Sequence, residues 1–175
     1  EIDPEVSAIA ENPLFFTYLS DSASRPRIRT IIGDGRRMLA REPDGSFGMI
    51  VIDAFSTDAI PIHLLTREAL ALDLQKLSPR GLLVLHISNN FFDFSLPLAA
   101  TAASLGLVTA VQSVEVTDAG ALAAGRRSSV WLVLARTPTD LLKLDRSSGF
   151  VPLAAKPGDR PWTDDWSCLL HAIAR

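Results

Sequence analysis

The side chains of this sequence best equipped for chemistry are four carboxylates spread along it: Glu1, Asp34, Asp53 and Asp58. Asp53 closes a short apolar run, Met49 to Ile52, and Asp58 follows it in a segment that also carries Phe55, Ser56 and Thr57. Carboxylates accept hydrogen bonds from hydroxyl and amino groups and hold cations, each charge-assisted bond contributing roughly 1.5–3 kcal/mol. An Asp at a strand end also suits a turn or a helix cap. A second acid and two hydroxyls close behind it are more than a turn requires, so 53–58 reads as the wall of a pocket. A carboxylate at the rim of an open α/β sheet is well placed to accept both hydroxyls of a ribose, which suits Glu1. Asp34 beside Gly35 can take an adenine amino group while the glycine lets backbone approach the ring. Converging on one rim, these acids would form a nucleoside pocket.

The elements that must position them can be read from periodicity. Met49 to Ile52 is too short for a helix and too uniformly apolar for a sheet face that meets water, so it predicts a buried parallel strand ending at Asp53. Pro61 then fixes a turn, and 63–77 carries a helical pattern with Leu64, Leu65, Ala69 and Leu72 on one side. Upstream, Pro4 opens a short helix over 4–10, and 27–32 predicts a strand delivering Asp34 to the same rim as Asp53. The aromatic stretch 12–19 predicts a loop packed on the sheet. Residues 36–41 predict a short helix. Downstream, 78–81 reads as a turn, 82–87 as a strand carrying His86, and 95–105 as a helix closed by Gly106. Residues 107–116 and 129–135 read as an antiparallel pair at the sheet edge, joined by a loop. A helical turn starts at Thr137, and 150–160 is a connection rich in Pro and Gly. Helices alternating with strands predict a doubly wound, mostly parallel α/β sheet in a single domain over 1–175.

Composition narrows the classes. A chain of 175 residues, 47% of them hydrophobic, can bury roughly two thirds of its unfolded surface without a staple. The net charge of −3 provides no broad basic surface, which argues against nucleic acid as a partner. The single Cys168 forms no internal disulfide and is compatible with a reducing compartment, so a cytoplasmic location is expected. His63, His86 and His171 lack paired ligand spacing, so no metal is expected and each reads as a structural or loop histidine. The longest uncharged run, 94–114, is interrupted by Pro97 and Gly106 and reads as a helix and a strand rather than a membrane span.

Four segments carry a family likeness. Glu-Ile-Asp-Pro at 1–4, Gly-Asp-Gly-Arg at 33–36, Asp-Ala-Phe-Ser-Thr-Asp-Ala-Ile-Pro at 53–61 and Thr-Asp-Asp at 163–165 resemble the spermidine synthase, or polyamine aminopropyltransferase, family. His-Leu-Leu-Thr at 63–66 and His-Ile-Ser-Asn at 86–89 are similar to its spermidine-synthase-like domains attached to membrane-spanning segments. The resemblance implies a class I S-adenosylmethionine-dependent methyltransferase fold that binds decarboxylated S-adenosylmethionine and moves its aminopropyl group to a small amine. It implies that Glu1 holds the ribose hydroxyls, that Asp34 and Gly35 form the adenine site, that Asp53 is the acid at the reacting centre, and that Asp58 helps to hold the cationic amine. The family's first strand and glycine-rich loop are missing ahead of Glu1, and Asp53 and Asp58 stand further apart than in the synthases. The expectation is therefore an amino-terminally truncated domain, weak or inactive by itself. In it, 27–32 pairs directly with 48–53 or a second subunit, as in a homodimer, repairs the gap. Two other readings remain: a methyltransferase using S-adenosylmethionine itself, and a non-catalytic ligand-binding domain of a membrane protein.

Overall fold

Asp3 and Pro4 set the first element. The Asp3 carboxylate accepts the Glu5 N–H at 2.8 Å and proline occupies the first turn, so helix α1 runs Pro4–Glu11. The computed structural model describes residues 1–54, 61–89, 91–142, 144 and 146–173, which form two compact units, Glu1–Glu42 and Pro43–Arg175.

In the first unit the expected strand at 27–32 does not form. Pro26 instead sits in a 3-10 turn, Arg25–Arg27. The backbone beyond it finds one partner residue: the Glu1 amino terminus donates to the Ile31 carbonyl at 3.1 Å, and Gly33 N–H donates to the Glu1 carbonyl at 2.8 Å. This alternation is that of a parallel ladder, which Pro4 ends on its carboxyl side by turning the partner into helix. Helix α2, Gly35–Leu39, follows with Asp34 as its N-cap. The aromatic stretch departs from expectation too. Asn12 closes a turn by accepting Phe15 and Phe16 N–H, and Leu14, Phe15, Phe16 and Tyr18 are exposed rather than packed. Turn geometry directs these side chains outward.

The second unit is built on a mixed sheet. Its strands are β1 (Phe47–Ile52), β2 (Leu77–His86), β3 (Val108–Val114), β4 (Ser129–Ala135) and β5 (Val151–Leu153), in the order β1-β2-β4-β3-β5. Among the described strands the one parallel ladder is between β1 and β2, which are joined by the helical crossover α3 (Arg67–Lys76). The sheet is thus less parallel in its ladders than the sequence suggests: β4 is antiparallel to both β2 and β3 and is inserted between them, not added at the edge. The antiparallel edge strand is β5, hidden in the sequence because Pro152 masks a three-residue strand. Helix α4 (Ser95–Ala103) precedes β3, and Gly106 ends the connection at φ +72°. Between β3 and β4 the expected loop contains a five-residue helix, α5 (Ala119–Ala123), capped by Asp118. Helix α6 (Pro138–Leu141) follows β4.

Both faces of β2 are covered. Leu83 and Leu85 pack with Leu132, Leu134, Leu98 of α4, Leu70 of α3 and Trp162 on one side, while Leu82 and Val84 pack with Val133, Val108 and Leu141 of α6 on the other. The β1 strand is only half covered, contrary to its uniform apolar sequence. Ile50 and Ile52 face the first cluster, whereas Met49 and Val51 are each 53% exposed. The turn foreseen at 78–81 appears as an interruption of register, Phe47 pairing Leu77 and Met49 pairing Leu82.

Two measurements test this packing. Trp162 is fully buried against Phe94, so Trp162→Ala is expected to lower unfolding free energy by about 3–5 kcal/mol in urea titration. Lys76 and Gln75 both donate to Asp44, at 2.7 and 2.8 Å, and these hydrogen bonds hold its carboxyl below the usual carboxylate range. A lowered folded-state value means that the pair stabilises the fold above the ordinary carboxyl range and stops doing so as pH falls through the lowered value. The melting temperatures of Asp44→Asn and the parent chain should therefore converge in strong acid and separate as pH rises to neutrality.

Candidate functional site

Asp53 stands one residue beyond β1, and the neighbouring strand β2 ends at His86. Because Ile52 pairs Leu85 in parallel register, the next residues along each strand are brought side by side. His86 Nδ1 lies 2.7 Å from Asp53 Oδ1, and on the other side of the ring His86 Nε2 lies 2.6 Å from Ser88 Oγ. Ser88 Oγ in turn accepts the Val130 N–H of β4 at 2.8 Å. The imidazole stacks on Trp131, with ring centres 4.6 Å apart. Three adjacent strands therefore contribute to one polar chain at the rim. The Asp53 side chain is still 58% exposed, whereas that of His86 is 23% exposed, so the acid faces solvent from a fixed support.

The chemistry of the donors sets the direction of this chain when the ring is neutral. An ionised carboxylate only accepts, so Nδ1 must carry the proton and donate to Asp53. Nε2 is then a lone pair and takes the Ser88 hydroxyl proton, while Ser88 Oγ takes the amide proton of Val130. Every link donates toward Asp53. Hydrogen bonds aligned in this way polarise one another.

Glu1 and Asp34, expected at the same rim as Asp53, belong to the other unit, where they are brought close to one another. The Glu1 carbonyl is bound by Gly33 N–H, which sets Glu1 beside the turn that carries Asp34. Glu1 Oε1 accepts Asp3 N–H at 2.9 Å, and Asp34 Oδ1 accepts Arg37 N–H at 2.9 Å as the cap of α2. A carboxylate offers about four lone-pair sites, of which the bond from Asp3 uses one. At Gly35 an added Cβ would meet nothing within 4 Å, and the residue is exposed. The glycine that the backbone itself demands is Gly33, at φ +145° with an added Cβ 3.0 Å from Met38. Asp58 lies outside the described residues.

His86 is the residue that sequence reasoning passed over, reading it as a structural histidine. What could have found it is the strand-helix-strand order itself: two parallel neighbours ending at Asp53 and His86 must bring those residues together. The carboxy-terminal Thr-Asp-Asp segment acts by anchoring. Asp164 Oδ1 accepts the hydroxyl of Thr66, the α3 cap, at 2.6 Å, Asp164 N–H donates to Glu68 at 2.9 Å, and the Trp162 carbonyl accepts Arg67 N–H at 2.8 Å. Among the described residues no three His, Cys, Asp or Glu side chains are grouped as a metal ion requires, and no helix is long and apolar enough to cross a membrane.

Replacing Gly33 tests the support of the Asp34 turn. Gly33→Ala forces a side chain into a strained backbone region against Met38, so local stability should fall by about 1–3 kcal/mol, read as faster hydrogen exchange at the amides of α2.

About half of the chain is similar in sequence to a polyamine aminopropyltransferase, and its fold is similar to that of spermidine synthases. It is 40% identical over 86 residues to the polyamine aminopropyltransferase of Vibrio vulnificus (strain CMCP6), a match covering 48% of this chain and 27% of that protein. Its fold is similar to that of a probable spermidine synthase from Corynebacterium glutamicum ATCC 13032, with TM-score 0.62, 18% identity and coverage of 97% of this chain and 63% of that one. It is also similar to the spermidine synthase of Thermotoga maritima, with TM-score 0.55, 14% identity and coverage of 100% and 55%. No family model matches the sequence. The match thus spans about a quarter of the curated relative, and the chain covers 63% and 55% of these two solved structures.

Proposed function

We propose that this chain is an aminopropyltransferase-like domain that binds decarboxylated S-adenosylmethionine and takes part in moving its aminopropyl group to a small cationic amine. The observation that carries the reading is Asp53: a carboxylate fixed at the carboxyl end of β1 by His86, open to solvent on its other side. The sequence match to a polyamine aminopropyltransferase supports the same reading. The sulfonium co-substrate, when bound, supplies an electrophilic carbon and a neutral thioether leaving group.

The roles of the protein groups follow from charge. An alkylamine has a pKa of about 10, so it arrives as an ammonium and must lose a proton before its nitrogen can form the new C–N bond. Asp53 attracts the ammonium and fixes the nitrogen in line with the carbon whose bond to sulfur breaks. Such positioning can contribute roughly 7–11 kcal/mol to rate acceleration. Asp53 also accepts the proton that the ammonium loses first, directly or through one water; the C–S bond then breaks as the C–N bond forms, and the product amine carries the positive charge away as an ammonium. Glu1 accepts the ribose hydroxyls, Asp34 and Gly35 form the adenine site, and Asp58 adds a second negative charge for the amine. The expected setting is the cytoplasm, where a reducing environment suits the lone Cys168.

In the full-length protein, Asp53→Asn is expected to lower aminopropyl transfer by at least about 10²-fold while calorimetric affinity for methylthioadenosine stays within about twofold. Transfer retained in Asp53→Asn would sink the assignment. Product analysis with decarboxylated S-adenosylmethionine and S-adenosylmethionine side by side should yield the aminopropylated amine only; a methylated product would assign the site to methyl transfer.

A further inference from the structure

We infer that His86 is a positioning residue for the reaction at Asp53, acting through a one-directional hydrogen-bond chain that starts at the backbone of β4; this rests on the reading of Asp53 given above. The chain is Val130 N–H to Ser88 Oγ at 2.8 Å, Ser88 hydroxyl to His86 Nε2 at 2.6 Å, and His86 Nδ1–H to Asp53 Oδ1 at 2.7 Å. An exposed Asp just beyond a strand end is free to rotate about two torsions, and each rotamer presents its charge in a different place. A neutral imidazole donating to Oδ1 removes that freedom without cancelling the carboxylate charge, so Oδ2 remains to meet an ammonium. The ring is itself held at its far nitrogen by Ser88 and on its face by Trp131. Ser88 is pinned to the sheet, since its oxygen takes the Val130 amide and the adjacent Ile87 N–H donates to the Val130 carbonyl at 2.9 Å.

Asp, His and Ser in this order also have the connectivity of a nucleophilic relay. In this chain the serine oxygen carries a backbone hydrogen bond from the neighbouring strand, which withdraws electron density and ties it to the sheet. The exposed end is the carboxylate, at 58%. The chain is therefore directed at Asp53, not at Ser88.

The first test needs no turnover. In 15N NMR of the full-length protein, at a pH where the ring is neutral, His86 should be the Nδ1–H tautomer and should shift toward Nε2–H in Asp53→Ala; an Nε2–H tautomer in the parent protein overturns the inference. The second test is kinetic. His86→Ala should lower kcat/KM for the amine by about 10²-fold, as for a misplaced reacting group, with affinity for methylthioadenosine unchanged. His86→Asn, which keeps a donor where Nδ1 lies, should recover most of that loss, whereas a purely packing role predicts no such rescue. If Asp53→Asn abolishes transfer while His86→Ala leaves kcat and KM unchanged, the positioning role falls and the reading of Asp53 stands. If Asp53→Asn has no effect, that reading falls and takes this one with it. Labelling of Ser88 by a fluorophosphonate would assign the chain to a nucleophile and overturn it as well.

Discussion

The interaction on which most of this structure depends is the pairing of β2 along both of its edges while both of its faces are buried. Its backbone groups bond to β1 on one side and β4 on the other, and its alternating side chains feed two separate apolar clusters. A strand held in four directions has little freedom, and the residue at its end inherits that rigidity. His86 is that residue. It is fixed before any of its own side-chain contacts are considered, and those contacts then transmit the fixed geometry sideways to Asp53.

Anchoring recurs at the other end of the crossover. After β1 the chain passes through 55–60 and re-enters the described structure at Pro61, followed by a short 3-10 turn and the Thr66 cap of α3. The carboxy-terminal segment, distant in sequence, closes this point through Asp164 and Trp162. The acidic and aromatic composition of that tail has a physical cause: the aromatic ring is core, and the acid completes the polar groups at a helix start that the core would otherwise leave dry. The segment 55–60 is thus flanked by a strand end on one side and a clamped helix start on the other.

In the first unit the balance differs. Neither of its helices has a buried residue, and its order comes from caps and turns: Asp3 on α1, Asp34 on α2, Asn12 on the aromatic turn. Glu1 and Asp34 are neighbours there because one residue of ladder pairing survives on either side of Glu1. Polar caps specify local direction well but bury little apolar surface. This is why exposed Phe15, Phe16 and Tyr18 coexist with well-formed helices.

Much of this was legible in the residues alone. Apolar runs bounded by Gly, Pro and Asp located β1, β3, β4 and α4; Pro at its first turn marked α1, and 36–41 read as the short helix that is α2; and the motifs at 1–4, 33–36, 53–61 and 163–165 pointed to the spermidine-synthase-like fold. These are local properties, set by steric preference, capping and hydrophobic periodicity over a few residues, and a linear reading reaches them. Tertiary structure alone decided what depends on partners distant in sequence. The segment 27–32 has a strand's composition, but among the described residues no strand pairs with it. The β1 strand has a buried strand's composition but only one covered face, Pro152 joins a sheet because β3 offers an edge, and β4 inserts between β2 and β3. The same holds for His86, whose chemical neighbours lie 33 residues before it, just beyond β1, and across the sheet on β4. Composition gave a lone histidine no meaning; the register of two ladders gave it a carboxylate on one nitrogen and a serine on the other.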